Sequence, residues 1–116
     1  MLPKLNQELD EFVYQQINNF IKWDLLVFFH QNPGTSDTCS SLASCLGRPE
    51  EEVSLALNDL VDGKILKRVP RGDAEIFEYE PEADSRRLVE QFMSALDSRE
   101  QRLQILTKLL RLGARG

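Results

Sequence analysis

Residues 38–79 constrain the fold more than any other stretch of the chain. Thr38-Cys39-Ser40-Ser41-Leu42-Ala43-Ser44-Cys45-Leu46-Gly47 opens on a residue that caps helix N-termini and closes on one that caps C-termini. Pro49 follows, at the first position of the next helix, where its missing N–H costs nothing. From Glu50 to Asp62, Val53, Ala56, Leu57, Leu60 and Val61 recur at helical spacing, and Gly63 ends the run. Ile65–Val69 and Ile76–Tyr79 then read as two short strands around an Arg71-Gly72-Asp73 turn. A short helix, a tight turn, a second helix and a hairpin form the frame on which the flanks must pack.

Both flanks read as helix. In residues 4–31, Leu5, Leu9, Phe12, Val13, Ile17, Phe20 and Ile21 keep a 3–4 spacing, and a break within the stretch stays open. Leu25–Phe29 is apolar on every side, so it needs cover from a second surface, either the C-terminal helix or another subunit. Asn32-Pro33-Gly34 turns the chain, and a brief edge strand is expected over Thr35–Asp37. After Pro81, Asp84 or Ser85 can cap a long helix from about Arg86 to Leu112. Val89, Leu96, Leu103 and Leu110 fall on one seam position, and Phe92, Arg99 and Leu106 on the other. Six of those seven are apolar, the pattern of a helix lying along a partner helix. Leu88, Met93, Ala95, Ile105 and Leu109 widen the stripe, and Gly113–Gly116 reads as a frayed end.

Leu42-Ala43, Leu46-Gly47, Pro49, Val53, Leu57, Leu60, Gly63-Lys64-Ile65-Leu66 and the hairpin after them resemble the winged helix-turn-helix of MarR-like and ArsR-like regulators. The resemblance covers about residues 17–80. It implies a mainly α fold with a small antiparallel β-hairpin and additional N- and C-terminal helices. One domain then spans residues 1–116, with N-terminal helices over 4–34, the helix-turn-helix and wing over 35–80, and a C-terminal dimerisation helix over 83–112. It also implies double-stranded DNA as a partner, transcriptional regulation and a homodimer.

Charge cuts across that implication. Residues 35–80 hold ten acids and five bases, a net of −5 on the segment that would meet DNA. Affinity for nucleic acid comes largely from neutralised phosphates, so this balance weighs against strong non-specific binding. The outer face of the second helix carries Glu51, Glu52, Ser54, Leu55, Asn58, Asp59 and Asp62. Among them Ser54 and Asn58 are the candidate base readers. Arg48, Lys64, Lys67, Arg68 and Arg71 are the candidate phosphate or minor-groove contacts. Against that reading, the hairpin cations can simply pair with Glu75 and Glu78 across the strands. Glu50–Glu52 can serve the helix dipole, repel DNA, or do both. The expected dimer contacts are Val89, Phe92, Leu96, Leu103, Leu106 and Leu110; the rival is a pairing of the Leu88–Leu110 helix with the Leu5–Ile21 helix of the same chain, which would bury much of the same surface.

Catalytic patterns are missing from the sequence. His30, the single histidine, has no nucleophile near it in sequence and reads as a helix-end residue. No P-loop, dinucleotide fingerprint, Cys-x-Cys or Cys-x-x-Cys occurs, so no enzyme, cofactor or metal is expected. Cys39 and Cys45 lie about 240° apart on one helix and should not pair; Cys39 is an inert small side chain or, at a helix start, a thiol of lowered pKa. No apolar run is long enough for a bilayer and the N-terminus is too polar for a signal peptide, which together suggest a cytoplasmic protein. Two functions stand. One is a homodimeric DNA-binding transcriptional regulator. The other is a winged-helix protein–protein interaction module that binds no nucleic acid.

Overall fold

The computed structural model describes residues 6–113. Its elements are α1 (Gln7–Gln15), α2 (Phe20–Gln31), β1 (Ser36–Thr38), α3 (Cys39–Leu46), α4 (Glu50–Asp62), β2 (Leu66–Arg71), β3 (Ala74–Tyr79), α5 (Ala83–Asp97) and α6 (Arg99–Arg111). This is the expected mainly α class with a small antiparallel sheet. Leu5 and residues 114–116, part of the expected first helix and frayed end, lie outside the described residues.

The N-terminal stretch is two helices rather than one. Asn6 and Asn19 each sit just before a helix, and their side-chain oxygens accept from the N–H of Leu9 and Lys22 at 2.8 Å. Between the helices, Ile17 is fully buried and anchors the bend. Thr38 caps α3 by accepting from the Ser41 N–H, and Gly47 closes it in the left-handed region at φ 66°. Pro49 stands at the N-cap of α4, one place before the expected first turn, and offers no side-chain cap. Glu50, Glu51 and Glu52 fill the first turn, where their charge meets the positive end of the helix dipole.

The end of α4 departs from expectation in one residue. Ile65 N–H bonds to Leu60 C=O and Lys64 N–H to Val61 C=O, both at 3.0 Å, which is a Schellman closure. The left-handed residue that this closure needs is Lys64, at φ 65°, and not Gly63. What Gly63 supplies is space. A Cβ there would meet the amide end of the Gln16 side chain in the α1–α2 bend, a flexible group that would have to move aside.

The sheet order is β1-β3-β2, all antiparallel. β1 forms one residue later than the expected edge strand, pairing Ser36 with Glu78 and Thr38 with Ile76. The wing pairs Leu66 with Tyr79 and Arg68 with Phe77. Pro70 falls on β2, which is an edge strand and needs no second set of ladder donors.

The expected long C-terminal helix is broken. Ser98, at ψ 121°, ends α5 and caps α6 by accepting from the Gln101 N–H at 3.3 Å. The break lets both helices fold against α1 within one chain. Phe12 and Trp23 meet Phe92 edge-on, with ring centroids 6.4 and 5.9 Å apart. Glu8 pairs with Arg87 at 2.8 Å and Asp10 with Lys108 at 2.9 Å. Val89 and Phe92 are fully buried here, so these two expected dimer contacts are covered by the chain itself. Leu96 and Leu106 are half-buried, while Leu103 and Leu110 remain 45% and 58% exposed. The all-round apolar stretch in α2 is covered in the same way: Leu25, Leu26 and Phe29 belong to the common core with α3, α4 and α5.

Candidate nucleic-acid interface

α4 is held from two sides. Asp59 faces α2, where its carboxylate lies 2.8 Å from Lys22 Nζ. Lys22 is 5% exposed, and Asn18 Oδ1 accepts a second bond from it at 2.9 Å. One residue earlier, Asn58 faces the wing, and its Oδ1 accepts from Arg68 Nη2. These neighbours are about 100° apart on the helix, so one turns to each flank. The outward strip between them carries Glu51, Leu55 and Asp62, all exposed. Leu55, at 68%, is the most exposed large apolar residue among the described residues.

The wing cations are unequal. Arg68 has its Nε 3.6 Å from Glu75 and its guanidinium 5.8 Å from the centre of the Phe77 ring, in addition to its bond with Asn58. Lys67 lies 3.9 Å from Glu80. Arg48 is drawn inward, with Nη2 2.6 Å from Asp24, and ties the α3–α4 turn to α2. Lys64 and Arg71 are exposed, and among the described residues neither has a carboxylate partner. Arg71 borders the Gly72-Asp73 turn at the wing tip, where Gly72 takes φ 60°. Of the candidate contacts, then, Asn58 and Arg68 meet one another, Lys64 and Arg71 are free cations, and Arg48 is engaged elsewhere. Ser54 is half-buried beside Cys39.

Cys39 fits the inert of its two readings. Its thiol pKa is raised, first by burial and then by the Glu50 carboxylate, and the hydrogen bond with Ser54 only partly opposes this. Its Sγ donates to the Glu50 carbonyl at 3.5 Å. A thiol in that state is a packing group, not a nucleophile. Cys45 is exposed and free. His30 lies 3.4 Å from Glu90 on α5 and edge-on to Tyr79, so its partners are tertiary as well as the helix end. Among the described residues no group of three or more His, Cys, Asp or Glu could hold a metal ion, and no helix is long and apolar enough to cross a membrane.

Sequence reasoning had no role for Lys22 or Asp24, the two groups that position α4 and its entry turn. The one available signal was their place in the otherwise apolar run from Phe20 to Phe29, where a charge that cannot reach water needs a partner.

Comparison with protein families and with curated proteins finds no match. Among solved structures, the chain is similar to a point mutant of S. aureus MepR bound to an oligodeoxyribonucleotide. The TM-score is 0.60 at 20% identity, over 91% of this chain and 85% of that one. It is also similar to a MepR-like protein complexed with pseudoligands, with a TM-score of 0.55 at 15% identity, over 93% and 86% of the two chains. The fold of this chain is therefore that of the MarR-like winged-helix structures, mostly helical with a small three-stranded antiparallel sheet.

Proposed function

We propose that this chain is a DNA-binding transcriptional regulator, not an enzyme, that acts in the cytoplasm as a homodimer. The observation that carries the reading is the likeness of nearly the whole chain to a winged-helix protein bound to an oligodeoxyribonucleotide. On this surface the wing leads. Arg71 at its tip and Lys64 at its base have no carboxylate partner among the described residues, so they are able to release counterions from a duplex. Glu51, Glu52 and Asp62 lower non-specific affinity, and binding rests on shape and on a few directed contacts. The homodimer rests on Leu103 and Leu110, exposed apolar residues of α6 that lie one heptad apart. Fluorescence anisotropy with a duplex library at two salt concentrations tests the reading. Saturable binding that weakens with salt, and weakens again in Arg71→Ala, is expected. No binding at low salt would remove it.

A second reading has its own observation. Leu55 stands out between Glu51 and Asp62, an apolar residue ringed by acid, as a contact for a basic protein segment would. Failure to bind any duplex, with folding intact, would favour it.

A further inference from the structure

Resting on the DNA-binding reading, we infer that Arg68 is a positioning residue that makes Asn58 a reader of guanine rather than adenine. A guanidinium has five N–H donors and no acceptor. The atom of Asn58 that faces Arg68 can therefore only be Oδ1, and chemistry fixes which way round the amide sits. Arg68 is itself held, by Glu75 at 3.6 Å and by the Phe77 ring beneath it. The amide is thus set before any ligand arrives.

An asparagine that reads adenine uses both ends, accepting from N6–H with its oxygen and donating to N7 with its nitrogen. With Oδ1 turned to the wing, Asn58 presents its NH₂ as the outward group. Polarisation of the amide by the adjacent cation strengthens that donor. In the major groove, guanine shows two neighbouring acceptors, N7 and O6, and no donor. It is the base edge that an outward NH₂ fits.

The experiment is selection from a randomised duplex library by the full chain and four variants. The wild type is expected to enrich guanine at the position that Asn58→Ala leaves unselective. Arg68→Met keeps a long stem over Phe77 and removes the donors. It should release Oδ1 and shift that one position to adenine by about tenfold. Arg68→Lys, which still donates to Oδ1, should restore guanine. Asn58→Asp tests the point without touching Arg68: it offers only acceptors outward and should move the preference to cytosine, whose N4 donates. Adenine in the wild type, or an unchanged position in Arg68→Met and Asn58→Asp, would overturn the inference while leaving DNA binding in place. A wild type that enriches no sequence would overturn the DNA-binding reading as well.

Discussion

Lys22 Nζ and the Asp59 carboxylate lie 2.8 Å apart, with the ammonium buried and the Asp59 side chain 56% exposed. Removing the two partners is therefore unequal. Asp59→Ala strands a buried charge on Asn18 alone and should cost about 1–3 kcal/mol. Lys22→Met leaves a carboxylate that water already reaches and should cost less. Urea melts of the two variants check the order, and a larger loss in Lys22→Met would contradict it.

Lys64 occupies a left-handed position that usually belongs to glycine. Lys64→Gly should raise stability by about 1 kcal/mol, since a side chain there is strained by roughly that much. In the DNA-binding reading the same change removes a free cation. Higher melting temperature with weaker duplex binding is the expected pair of results.

Arg71 and Arg48 should separate cleanly in a salt titration. Arg71→Ala should lower the slope of log affinity against log salt by about 0.9, the share of one phosphate contact. Arg48→Ala removes a group already 2.6 Å from Asp24 and should leave the slope unchanged while reducing stability.

The apolar residues of α5 and α6 divide by exposure. Leu103→Asp with Leu110→Asp should convert a homodimer to a folded monomer, seen by light scattering with unchanged circular dichroism. Phe92→Ala should instead cost about 3–5 kcal/mol, because it empties a site inside the chain. Persistence of the dimer in the double aspartate variant would place the interface elsewhere.

Glu8 gives an acid-side prediction. The Arg87 guanidinium holds its carboxyl below the ordinary glutamate value, through a bidentate hydrogen bond and then through charge. A pKa lowered by folding contributes stability above the unfolded-state pKa, and that contribution disappears as pH falls through the folded value. The α1–α5 tie should thus be intact at neutral pH and lost below about pH 4, near and under the usual glutamate range. Glu8→Gln should make the acid limb of a stability profile shallower and change little else. An identical acid limb would mean that the pair adds nothing to the fold.

Residues 38–79 were legible because their signals are local. The caps at Thr38 and Gly47, the apolar spacing of α4 and the Gly72 turn each act within a few residues, and the structure repeats them. The break at Ser98 was also written in the sequence. Ser98-Arg99-Glu100-Gln101 has the form of a capping box, but the heptad spacing runs straight through it, from Leu96 to Leu103, and suggests one helix. Apolar period reports which face is buried, and a kinked pair of helices can keep the same face inward.

The helices, the turn chemistry and the winged-helix layout were determined by the sequence itself, through propensities, caps and periodicity. Only the tertiary structure decided which charges are spent inside the chain. Arg48 and Arg71 read alike as surface cations, yet one is bound to Asp24 and the other has no carboxylate partner among the described residues. Asn58 read as a free candidate base reader, yet its oxygen accepts from Arg68, ten residues away. Val89 and Leu103 share a seam position, yet one is buried in the core and the other is open. Each outcome depends on a partner brought close by folding, and electrostatic and packing energies fall off over a few ångströms of space with no regard to distance along the chain.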